Sequence, residues 1–214
     1  MKVKGLGVEL IRLRKEHIEL LRYWRNHPDI AVFMDYQTFI TEEMQMKWYK
    51  SLDVAKDFYF IIAYQNKDIG LIHVSDISWN KKSGQAGLFI WDQKYWKTQV
   101  PVFASLNLIA FAFGFLGLNK LIAKVMDNNK AAIIYNLRLG FKVFDDSPKD
   151  YSLYRLAKDD KDLLQLRSKL ERLLTRNPQH FEIGRQEYSI LQALPGVADQ
   201  MAALIKSEAL SLKN

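Results

Sequence analysis

Asn128-Asn129-Lys130-Ala131-Ala132-Ile133-Ile134-Tyr135-Asn136-Leu137-Arg138-Leu139-Gly140-Phe141 is the stretch on which the fold of this chain is decided. Asparagines stand ahead of a run with apolar residues at helical spacing, and the run closes on a glycine. A helix is therefore predicted over 129–139, ending at Gly140. The β-rich segment 120–126 before it reads as a strand. After it, 141–144 and 151–156 read as a hairpin around Asp145-Asp146-Ser147-Pro148.

Further upstream, 100–118 is almost wholly apolar, interrupted only by Ser105 and Asn107, and it opens on Pro101, a favoured first residue of a helix. Its length approaches a membrane span, yet a helix apolar all round is also what packs against a sheet, and its flanks do not resemble span boundaries. The buried helix is the reading adopted, closed by Gly117 and Asn119. Ahead of it, 59–64, 69–77 and 86–91 form three strands joined by short polar turns, which implies antiparallel hairpins. Nearer the N-terminus, 8–13 alternates as a strand and 17–25 is a short amphipathic helix stopping before Pro28. Thr41 caps a further helix, with Met44, Trp48 and Leu52 predicted on its buried side.

These elements predict a mixed, mostly antiparallel sheet flanked by helices, occupying residues 1–158. Beyond Lys158, leucines at 163, 164, 166, 170, 173 and 174 recur at helical spacing, and a second helical piece covers 197–210. Residues 159–214 are thus expected to be a helical appendage, docked on the domain or forming a homodimer contact.

The chain has 214 residues, 49% of them hydrophobic and 26% charged, which suits a packed core rather than disorder. Without cysteine there is no disulfide and no thiol nucleophile, and the four histidines lack metal-ligand spacing, so no metal is expected. The net charge of +7 attracts anions. The basic residues are dispersed and no zinc-finger or helix-turn-helix signature is present, which disfavours nucleic acid and favours nucleotide phosphates. No signal peptide is visible, so a cytoplasmic protein with no membrane partner is expected.

Asn128, Ala131, Tyr135 and Gly140-Phe141 fall in register with a segment of the GNAT superfamily of acyl-CoA-dependent acetyltransferases, and the resemblance covers about residues 7–157. It implies acetyl-CoA as co-substrate, with Asn128 at the cofactor crevice. Tyr135 would be the general acid that protonates the departing thiolate. The strand residues Leu88, Phe89 and Ile90 would hold the pantetheine arm and thioester through their backbone. The turn Lys97-Thr98-Gln99 and the amides of Val102 and Phe103 would hold the pyrophosphate at a helix N-terminus. Glycines usual in this turn are missing, and Pro101 offers no donor.

Tyr23-Trp24-Arg25-Asn26-His27-Pro28-Asp29-Ile30 resembles the first-helix segment of the amino-sugar N-acetyltransferases of pseudaminic acid biosynthesis, which implies a UDP-linked amino sugar as acceptor. Arg25, Asn26 and His27 become candidate acceptor contacts; the plainer alternative pairs Arg25 with Asp29 and lets His27 cap a helix. His73 and Asp76 are candidate bases, of which only one can face the crevice, and a water relay is an equal alternative. Two other functions stay open: a protein N-terminus or aminoglycoside as acceptor, or a GNAT fold kept as a binding or assembly module.

Overall fold

The computed structural model describes residues 1–145 and 150–213, so the expected turn through Asp146-Ser147-Pro148 lies outside the described residues. Strands β1 (Lys2–Gly5) and β2 (Val8–Arg12) form a hairpin whose turn residues Leu6 and Gly7 both take positive φ. Three helices follow: α1 (Ile18–Asn26), α2 (Pro28–Ala31) and α3 (Glu42–Ser51). The middle of the sheet is β3 (Phe58–Tyr64), β4 (Lys67–Ser78) and β5 (Ser83–Ile90), antiparallel neighbours as their short links require. Gln65 and Asn66 supply the positive φ values of the β3–β4 turn. Then come α4 (Val100–Ala110), β6 (Lys120–Met126), α5 (Lys130–Arg138), β7 (Lys142–Asp145) and β8 (Tyr151–Ala157).

Past β8 the chain forms α6 (Lys161–Lys169), α7 (Glu171–Arg176), β9 (His180–Gly184), α8 (Arg185–Gln192), α9 (Val197–Lys206) and β10 (Leu210–Lys213). The segment predicted to be helical therefore also carries two strands. Among the described residues one ten-stranded sheet runs β10-β9-β1-β2-β3-β4-β5-β6-β8-β7, parallel only at β5–β6 and β9–β10. Phe181, Ile183, Leu191, Val197, Met201 and Leu210 of the tail share one core cluster with Phe111, Ala112 and Phe115 at the end of α4.

α4 lies on one face of the sheet and continues through a π turn, Phe111–Phe115, where Leu116 N–H reaches back five residues to Phe111 O. Its two polar interruptions both have partners. Asn107 is fully buried and donates through Nδ2 to Gly5 O (2.9 Å) and Val8 O (3.1 Å), locking the helix to the β1–β2 hairpin. Ser105 reaches Tyr135. Among the described residues no helix is long and apolar enough to cross a membrane.

The opposite face is covered by α1–α3, around Leu13, Ile18, Leu21, Ile30, Ile61, Leu71 and Trp91. Thr41 Oγ1 accepts from Met44 N–H (3.2 Å) and starts α3 where expected. The expected burial of Met44 is corrected: Gln45 is the buried residue, and Met44, 39% exposed, faces the cleft described next.

Candidate active site

β5 and β6 pair from Ser83↔Lys120 to Gln85↔Ile122 and then separate. The parting strands open a cleft of about 760 Å³ that runs from the α1–α3 side of the sheet to the start of α4 and the flank of α5. Backbone direction alternates along β5. Trp91 N–H donates to Ile69 O on β4, and the odd-numbered positions follow it, so Phe89 is paired with Leu71 while Leu88 and Ile90 turn their N–H and C=O towards the gap. The expectation that Phe89 offers backbone contacts is thereby corrected. Ile90 O already accepts from Trp96 Nε1 (2.7 Å). Leu88 is left as the open backbone rung.

At the start of α4 the sequence expectation is corrected in two places. Phe103 N–H donates to Gln99 O (3.0 Å) and is not a free amide. Thr98 Oγ1 donates to Tyr95 O (2.8 Å) and accepts from Val100 N–H (3.2 Å), so its hydroxyl stabilises the glycine-free turn instead of standing open. Gln99 is the N-cap and makes no side-chain cap bond. Val102 N–H has no acceptor among the described hydrogen bonds, and Lys97 is exposed beside it. These are the donors the turn offers an anion.

Tyr135 projects from α5, a helix capped by Asn129 Oδ1 accepting from Ala132 N–H (3.0 Å) and closed at Gly140 (φ +98°). Asn129 lines the cleft; Asn128, the expected residue, does not. The Tyr135 hydroxyl donates to Pro101 O (2.8 Å) and lies 2.7 Å from Ser105 Oγ, one helical turn along α4. Burial pushes the phenol well above the usual tyrosine range, with the Ser105 hydrogen bond opposing. Tyr135 therefore keeps its proton until a strong base forms next to it. Ser105 was legible only as a blemish in an apolar run.

Of the acceptor-side residues, Arg25 lines the cleft and its Nε is buried without a hydrogen-bond partner. Burial lowers its pKa, and no Asp29 pairing forms: Asp29 instead accepts from Gln93 Nε2. Asn26 is corrected from a substrate contact to a clamp, donating through Nδ2 to Ile40 O and accepting from Ile40 N–H, both 2.8 Å. His27 Nδ1 accepts from Asp29 N–H (3.4 Å) as the N-cap of α2, the plainer of its two readings. Trp24 stacks on Trp91 at 5.9 Å and 6°, fixing α1 over β5.

His73 faces the cleft and Asp76 is exposed to solvent. The imidazole stacks on Tyr59 (4.6 Å), its Nδ1 is 3.1 Å from Ser75 Oγ, and its Nε2 lies over Gly87, where any Cβ would sit 2.2 Å away. Burial pushes His73 down to about 4, so it is neutral at neutral pH. Tyr135, Ser105, Leu88, His73 and Arg25 are thus gathered along one cleft, whereas Asn26, His27, Thr98 and Phe103 serve the fold around it. Among the described residues no group of side chains could hold a metal ion.

A family model described as "Acetyltransferase (GNAT) domain" matches residues 8–142. The chain is 30% identical over 153 residues to "Acetyltransferase PseH" of Campylobacter jejuni subsp. jejuni serotype O:23/36 (strain 81-176), covering 71% of this chain and 93% of that protein. Among solved structures, the apo form of FdhC, described as a nucleotide-linked sugar GNAT, superposes with a TM-score of 0.67 at 19% identity, covering 81% of this chain and 98% of that one. The ribosomal L7/L12 α-N-protein acetyltransferase RimL, in complex with coenzyme A, superposes with a TM-score of 0.62 at 16% identity over 72% of this chain and 96% of its own.

Proposed function

The chain belongs to the GNAT acetyltransferase family and is an N-acetyltransferase, and from that premise we propose that it carries the acetyl group of acetyl-CoA to the amine of a nucleotide-linked amino sugar, by direct attack in a ternary complex. The observation that carries the acceptor half is Arg25, half-buried at the cleft wall with a buried Nε that has no hydrogen-bond partner. A desolvated cation without a counter-charge is costly, and an acceptor bearing a diphosphate relieves that cost while matching the planar fork of an arginine. The likeness to a nucleotide-linked sugar GNAT and to PseH supports the same choice.

For the donor half, the fit is good along the pantetheine path and sparser at the phosphates. The unpaired rung at Leu88 matches an extended amide-bearing arm. Lys97 and the Val102 N–H supply a cation and a helix-end donor. In the reaction the neutral amine adds to the thioester carbonyl, the C–S bond of the tetrahedral adduct breaks, and the departing sulfur takes the Tyr135 proton. Tyr135 is protonated at neutral pH and so has the proton to give. His73, neutral and lining the cleft, is the base proposed for the amine proton, with a water relay as the alternative.

The test is Arg25→Ala assayed with a UDP-linked amino sugar and with a peptide bearing a free N-terminus. KM for the nucleotide sugar should rise about thirtyfold, the loss of one charge-assisted bidentate contact, while the peptide reaction changes little. Equal loss for both acceptors would refute the nucleotide-sugar assignment.

A further inference from the structure

Among the described residues lining the cleft there is one carboxylate, Asp35, and two fixed cations, Arg25 and Lys124. Asp35 belongs to the segment 32–41 between α2 and α3, which crosses to the far side of the cleft. There its Oδ2 accepts from Lys124 Nζ of β6 at 2.7 Å. The segment is held at both ends. Asn26 clamps Ile40 with two hydrogen bonds, and Gln93, just past β5, donates to Asp29. Asp35 is therefore presented to the cleft by an anchored loop, although its side chain is 64% exposed.

Lys124 also rests on an aromatic ring. Its ammonium lies 3.8 Å from the centroid of the Tyr151 ring, a cation–π contact that survives if the carboxylate is taken away. An exposed ion pair of this kind contributes little to stability and is readily exchanged.

We propose that Asp35 selects the acceptor by docking its ammonium in competition with Lys124, which keeps its contact with Tyr151; the proposal rests on the amine-acceptor reading above. An alkylamine reaches the cleft protonated and competes with Lys124 for the same carboxylate, its added positive charge being balanced by the diphosphate of the acceptor. Arg25 and Asp35 then recognise the two opposite charges of one acceptor molecule. The acetylated product carries a neutral amide at that nitrogen. Asp35 no longer attracts it, Lys124 has the carboxylate to itself again, and the cleft discriminates substrate from product by the charge the reaction removes.

Calorimetric titration of the full chain with UDP-glucosamine and UDP-N-acetylglucosamine tests this, since the pair differ only in ammonium against acetamide. The wild-type protein should bind UDP-glucosamine about tenfold more tightly, close to 1.4 kcal/mol. In Asp35→Asn the ratio should fall to about one with UDP-N-acetylglucosamine affinity unchanged, and in Lys124→Met it should grow, as removal of a competing cation requires. A ratio near one in the wild type, or one untouched by Asp35→Asn, overturns the proposal. If neither nucleotide sugar binds, the nucleotide-sugar reading fails by itself, and the same proteins are compared with spermidine and diacetylspermidine. A preference for spermidine lost in Asp35→Asn then upholds ammonium docking, and equal affinities refute it.

Discussion

Tyr135 illustrates how much of the chemistry resides in one atom and its neighbours. Its hydroxyl is held on the first turns of α4 by Pro101 O and Ser105 Oγ, so α4 fixes the group proposed as the acid. Replacing Tyr135 by Phe should lower kcat about a hundredfold, the usual worth of a placed acid. The affinity for acetyl-CoA, read by calorimetry, should stay within a factor of about two if the phenol acts on the leaving group as proposed and not in binding. A parallel fall in affinity would mean that Tyr135 only packs. That Tyr135 and Arg25 line the cleft was readable from local motifs, because such placements go with residue type and register. Asn26 sat in the same motif and was misjudged for a definable reason, since its partner is the backbone of Ile40, while His27 took the capping alternative through the amide of Asp29. Nothing in residue spacing announces that a side chain is already engaged by the main chain.

At the scale of elements, the pairing of β4 with β5 sets both the floor of the cleft and a pH dependence. His73 fits only because its cross-strand neighbour is Gly87, and it is buried in its neutral form. With a folded pKa near 4 against an ordinary 6.5, the unfolded chain binds a proton in this window and the folded one does not. Stability should therefore be complete above about pH 6.5 and decline as pH falls towards 4, by at most about 3 kcal/mol from this group. Urea melts between pH 7 and 4.5 would show the decline, and His73→Phe should flatten it; an equally steep decline in that variant would place the cause elsewhere. The elements themselves were largely legible. Strand 120–126 and the helix from Lys130 to Arg138 stand where period and caps put them. The misses were β1, β9 and β10, strands of four or five residues too short to establish a period, the last two embedded among leucine-rich helices.

For the whole molecule, the tail is structural material of the same core and not an attachment. Phe181 packs on Phe115 with ring centroids 5.2 Å apart, and Ile183, Val197 and Met201 are buried with it. Ending the chain after Lys158 would uncover Phe111, Phe115 and Leu116, each worth about 2 kcal/mol when buried. The shortened protein is expected to lose its cooperative thermal transition and to bind a hydrophobic dye, while the full chain does neither; a sharp melt within a few degrees of the full chain would contradict this. β1 links the two halves of that design, since Lys2 stands opposite Ile11 on one side and Glu182 on the other. During synthesis the hairpin leaves the ribosome early, but its outer flank gains a neighbour only after residue 184 has emerged. Until then a row of unpaired amides and carbonyls is open to neighbouring nascent chains on a polysome. The hazard for this protein therefore falls in its biosynthesis, before the finished fold has hidden that edge.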